Sequence, residues 1–117
     1  MMPPDQFDRI VEDGLKLIPA RFRRLMRNVA IVVEREPARP GLLGLYQGRP
    51  LATRSVFDSF ALPDKITIYQ GPHERLARSP AELRQMVADT VWHEIAHHFG
   101  MDERQVRRAE RRRAKRR

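Results

Sequence analysis

Between Ser79 and Gly100 the chain carries start and stop signals for one uninterrupted helix. Ser79 is a good N-cap residue, Pro80 suits the first helical position, and Glu82 completes an S-x-x-E capping box. At the far end Gly100 stands where a left-handed residue would stop a helix that has run to Phe99. About 20 helical residues make a rod about 30 Å long, roughly the diameter of a small domain. In a chain of 117 residues, everything else must pack around that rod. At about 100° per residue, Leu83, Val87, Val91 and Ile95 form its core stripe.

The rest of the chain supplies the packing partners. Phe7, Ile10, Val11, Gly14, Leu15 and Ile18 recur at helical spacing, with Pro4 and Asp5 as start signals. Pro19 ends that helix, and Phe22, Leu25 and Met26 suggest a second short helical piece. VAIVVE, from Val29 to Glu34, is apolar without alternation and predicts a buried strand. Pro37, Pro40, Gly41, Gly44, Gly48 and Pro50 then punctuate a long connection, within which Leu42 to Tyr46 form a short strand. ITIYQ, from Ile66 to Gln70, alternates at Thr67 and lies between Pro63 and Gly71-Pro72. It predicts a strand with one exposed face at a sheet edge. The expected fold class is α+β, a small mixed sheet packed on the long helix. One domain is expected, because the length does not suffice for two lobes with a deep cleft between them.

Composition removes several functions. There is no cysteine, hence no disulfide framework and no thiolate metal site. MMPPDQFDRI has no apolar run of the signal-peptide kind. No stretch reaches 18 consecutive apolar residues, so no transmembrane segment is expected and the default compartment is cytoplasmic. The net charge of +8 is strongly localised. Residues 1–103 hold 14 basic and 14 acidic side chains, whereas residues 104–117 hold nine basic and one acidic, Glu110. This divides the chain into an expected domain at 1–106 and a basic tail at 107–117. A block of like charge is most simply a solvated, partly helical or frayed terminus. Its functional alternative, over 104–117, is weak and non-specific binding to nucleic acid or an anionic surface. Aromatic residues are absent from it, so bases would find no stacking platform.

The long helix also carries the chemistry. Residues 91–103 read VWHEIAHHFGMDE. His93 and His97, one turn apart at a margin of the core stripe, present two imidazoles to one side, as a single zinc ion requires. Glu94 points about 100° away from His93, too far round for an easy ligand but suited to accept a proton from a metal-activated water. After Gly100 a sharp turn can bring the next side chains back. Asp89, one turn before His93, could orient that imidazole, although a solvated surface acid is the simpler expectation. His98 is about 100° from His97 and is expected beside the site or at the surface. His73, in GPHER, is expected to be a solvated loop residue. Tyr46 and Tyr69 could donate to a developing oxyanion, though packing in the sheet accounts for either. Trp92 points away from the metal side and is expected to pack.

HEIAHHFGMDE resembles the extended zincin motif HExxHxxGxx(H/D/E). With PARFRRLMRNVAIVVEREP, GLLGLYQGRPL and LPDKITIYQGPHER in that order, it looks like the small bacterial zincin-like metallopeptidase family over roughly residues 7–106. Glu103 stands where metzincins have a third histidine, and no chain remains for a downstream Met-turn. The resemblance implies Zn²⁺ on His93, His97 and Glu103, with Glu94 as general base in hydrolysis of a peptide or protein substrate. Asp102 is the alternative third ligand. It is better suited to cap a final helix with Gln105 as its box partner. The edge expected of ITIYQ would let an extended peptide add as a strand. A competing reading is a non-catalytic or vestigial metal-binding protein whose tail docks on nucleic acid. Glu94 distinguishes the two, since a structural site has no use for a base.

Overall fold

The helix expected after Ser79 is the spine of the molecule. In the computed structural model, which describes residues 1–48 and 63–115, helices α1 (Pro4–Lys16) and α2 (Ala20–Arg23) precede strands β1 (Val29–Glu34), β2 (Gly44–Gln47) and β3 (Asp64–Tyr69). Helices α3 (Gln70–Leu76), α4 (Pro80–His98) and α5 (Glu103–Lys115) follow. Pro50, Arg116 and Arg117 lie outside the described residues. No helix is long and apolar enough to cross a membrane among the described residues.

Both ends of α4 are closed as its sequence specifies. The Ser79 hydroxyl accepts the Glu82 N–H at 3.0 Å. The Glu82 carboxylate reaches one residue further out than expected, to the Arg78 N–H at 3.2 Å. At the other end Gly100 has φ +97°. Its N–H bonds to the His97 carbonyl at 2.9 Å and that of Met101 to the Ala96 carbonyl at 3.1 Å, the paired bonds of a Schellman cap. Leu83, Val87, Val91 and Ile95 are buried against Phe7, Val11 and Ile18 on one side and Ile66 and Ile68 on the other. Each such side chain contributes about 1.5–3 kcal/mol by leaving water, so the core holds α4 between α1 and the sheet.

The sheet is mixed, in the order β1-β3-β2, which makes the architecture α+β. β3 runs parallel to β1 and antiparallel to β2. Two expectations change places here. The ITIYQ strand is central rather than an edge, and all of β3 except Lys65 is buried. VAIVVE is the edge, and only half-buried. Thr67 misleads because its hydroxyl signals solvent, yet it is 1% exposed. Alternation records polarity, not burial, and a small polar side chain can be covered when it is hydrogen-bonded. The register sets Gly44 opposite Ile68 and Tyr46 opposite Ile66. These four therefore share a face, the one that packs on α4.

GPHER is not a loop. Gly71-Pro72 lies in the first turn of α3, whose first residues are buried: Gln70 donates to the Met2 carbonyl at 2.8 Å and to Glu74 at 2.9 Å. His73, expected in solvent, is 0% exposed. Its Nδ1–H donates to the Tyr69 carbonyl at 2.6 Å, and its Nε2 lies 2.8 Å from the Thr90 hydroxyl. It ties the end of β3 to the middle of α4. Helix α5 runs through position 106 without a break, with Val106 fully buried.

Candidate metal centre

Three side chains converge where α4 ends and α5 begins. The rings of His93 and His97 are 5.0 Å apart between centroids. Their Nε2 atoms lie 3.2 and 2.7 Å from one oxygen, Oε1 of Glu103. One ligand atom from each of the three falls within 4.8 Å of the others. Gly100 makes this meeting possible, because the positive φ turns the chain back after α4. Asp102 stays out of it. Its carboxylate accepts the Gln105 N–H at 2.8 Å while the Gln105 side chain accepts the Asp102 N–H at 2.8 Å, a complete capping box at the start of α5.

The hydrogen bonds behind the imidazoles decide what they present in front. His97 Nδ1 is 2.9 Å from the Met101 carbonyl, and a carbonyl can only accept. Nδ1 therefore carries the proton, and the Nε2 of a neutral His97 offers a lone pair to the Glu103 carboxylate. His93 Nδ1 is 2.5 Å from Glu110 Oε1, so the same holds for that ring. Two lone pairs and a carboxylate facing one point repel unless a cation lies among them, either protons or a metal ion. The donor set of two imidazole nitrogens and one carboxylate is that of a catalytic zinc site, so the residues fit Zn²⁺. Burial works against a charged His93, but Glu110, Glu94 and Glu103 together raise its pKa. Burial also opposes ionisation of Glu103, yet its bonds from His97 and His93 hold its pKa below the usual range.

Glu94 sits between α4 and β2. It is buried, and its carboxylate accepts the backbone N–H of Tyr46. Burial raises its pKa against the pull of His93 and His97. β2 approaches so closely that a Cβ on Gly44 would stand 2.7 Å from Thr90 Cγ2 and 3.1 Å from Glu94 Cγ. His93 and Glu94 open onto a cavity of about 520 Å³ whose walls include Leu42, Leu43, Met86 and Arg113. The arrangement offers a candidate set of metal ligands, an adjacent carboxylate and a half-open cavity beside both.

The side chains of the remaining candidates do not join the His93, His97 and Glu103 cluster. The Tyr46 hydroxyl donates to Asp64 at 2.5 Å, and Asp64 also bonds His98 Nδ1 at 3.1 Å. His98 is fully buried in that network. Tyr69, next to Ile68 on β3, falls on the sheet face away from α4 by strand alternation. Burial first, then the charges of Glu34 and Glu94, raise its hydroxyl pKa. Asp89 is engaged with Gln85 and Arg113, both at 3.0 Å, and Arg113 lies 5.4 Å above the half-buried Trp92 ring. Glu110, not Asp89, orients His93. Sequence reasoning missed Glu110 because it lies inside a run of arginines. The signal was there: the lone acid of residues 104–117 stands seven positions after Glu103, two turns along the same helix face.

A family model described as zincin-like metallopeptidase matches residues 26–113. A solved structure of a conserved hypothetical protein from Thermus thermophilus is similar, with 27% identity and a TM-score of 0.52. The likeness covers 80% of this chain and 91% of that one. A search of functionally curated proteins found no match.

Proposed function

Since the chain belongs to the zincin-like metallopeptidase family, we propose that it is a zinc-dependent peptidase with His93, His97 and Glu103 as metal ligands and Glu94 as general base. The observation that carries this reading is Glu94, a buried carboxylate of raised pKa next to the two histidines and on the wall of the cavity. Bound Zn²⁺ would polarise the scissile carbonyl and lower the pKa of a coordinated water towards about 7. Glu94 takes the proton of the attacking water on its carboxylate and hands it to the leaving amine. The Tyr46 N–H holds that carboxylate in place. Glu110 and the Met101 carbonyl fix the two imidazole tautomers so that both Nε2 lone pairs face forward. An extended substrate adds to β2, an edge strand beside Glu94. This replaces the expected addition to β3, which is paired on both sides.

A structural zinc is usually closed by four protein ligands, whereas the cluster among the described residues has three. That supports an open position for water. The test is cleavage of a peptide library by zinc-loaded wild type and Glu94→Gln. The variant should keep its zinc and lose about 10²–10⁴ in kcat/KM, the usual worth of a general base. Equal cleavage by both proteins would end the assignment of Glu94.

A further inference from the structure

Helix α5 sorts its charges by face. With buried Val106 marking the inward direction, Glu103, Glu110 and Arg113 lie within about 60° of it. Arg104, Arg107, Arg108, Arg111, Arg112 and Lys115 fill an opposite arc of about 140°, all exposed. No acid lies in that arc. Among the described residues only Arg107 of the six has a carboxylate within ion-pair range, Glu103 at 3.8 Å. Cations three and four apart repel, at a cost of about 0.2–0.5 kcal/mol per pair. The inward anchors of α5 hold the repelling array in helical form.

We propose that the outer face of α5 is a docking surface for the phosphate backbone of B-form DNA. This stands apart from the peptidase reading, since none of the six cations belongs to the metal site. The array spans about 16 Å on a rod about 10–12 Å across, which the B-DNA major groove, about 12 Å wide, accepts. Guanidinium groups bind phosphate oxygens bidentately, and five of the six cations are arginine. An anionic membrane is the poorer partner. Interfacial helices bury an apolar face among lipid headgroups, and the outer arc has no apolar or aromatic side chain. Duplex RNA is also poorer, because its major groove is deep and narrow. The arc is made of arginine and lysine alone, so phosphate contacts supply most of the affinity and sequence preference is weak.

The test is anisotropy titration of labelled 20-base-pair DNA, with duplex RNA and phosphatidylserine vesicles in parallel. The full chain is compared with a variant combining Arg104→Gln, Arg108→Gln, Arg111→Gln and Arg112→Gln. Glutamine is a good helix former, and circular dichroism and zinc content of the variant report that α5 and the metal site are intact. Wild type should bind DNA with log K falling against log salt at a slope of about −5, and the variant should bind at least about tenfold more weakly, with the slope reduced by about 3.6. Undiminished DNA binding by the folded variant would overturn the proposal. Tighter binding to RNA or vesicles than to DNA would overturn it as well. Either result leaves zinc content and peptide cleavage, and so the peptidase reading, untouched.

Discussion

At the scale of single residues, neighbouring acids on one turn have opposite duties. The Asp102 carboxylate is spent on a backbone N–H, while that of Glu103 lies between two imidazoles. Asp102→Ala should therefore cost about 1 kcal/mol of stability as a lost cap and leave zinc binding nearly intact. Glu103→Ala should do the reverse, and competition against a chromogenic chelator would rank the two. Glu110→Ala belongs between them. Removing the partner of a ligating imidazole typically costs 10–100-fold in metal affinity, so unchanged affinity would show that the 2.5 Å bond to His93 is incidental. Glu103 was legible from its place after the glycine of the motif. Glu110 was masked by its setting, because composition calls residues 104–117 a charged tail and only helical phase picks the acid out.

Among elements, the distance between β2 and α4 is the critical one. Gly44→Ala would put a methyl group 2.7 Å from Thr90 Cγ2, so the strand must lift and take the Tyr46 N–H away from Glu94. Overpacking of this kind costs about 1–3 kcal/mol. The expected result is a lower melting temperature and a fall in kcat/KM at unchanged zinc content, since no ligand lies on β2. A variant with wild-type cleavage would show that the strand does not position the base. The helices were the readable elements: α4 announced both caps, and α1 its stripe. The strands were located but their neighbours were not. Pairing is decided by which surfaces remain to be covered in three dimensions, and the buried Thr67 shows how poorly polarity along a strand reports that.

For the whole molecule, His73 links stability to pH. Burial lowers its pKa although the Tyr69 carbonyl favours the proton. In the unfolded chain it titrates near pH 6.5, so as pH falls below that value the unfolded state takes up protons first. Its contribution is complete above about pH 6.5 and drains away on acidification towards the folded pKa, at no more than about 1.4 kcal/mol per pH unit. Denaturant titrations at descending pH should show a shallower loss in His73→Gln than in wild type; parallel slopes would show that other groups control the acid limb. The two faces of α5 have a different kind of consequence, one that depends on counting. Both acids and Arg113 point in and the other six cations point out only because the sequence keeps phase with the helical turn. One alanine inserted after Val106 turns all that follows by about 100°, removing no side chain and changing no charge. It carries Glu110 away from His93 and swings the cations partly against the body, so zinc affinity and DNA binding should fall together. Four inserted residues turn the helix by about 400°, almost back into phase, while sliding it about 6 Å along its axis. That longer insertion should restore the outer array and leave Glu110 out of reach, so DNA binding would recover and zinc affinity would not.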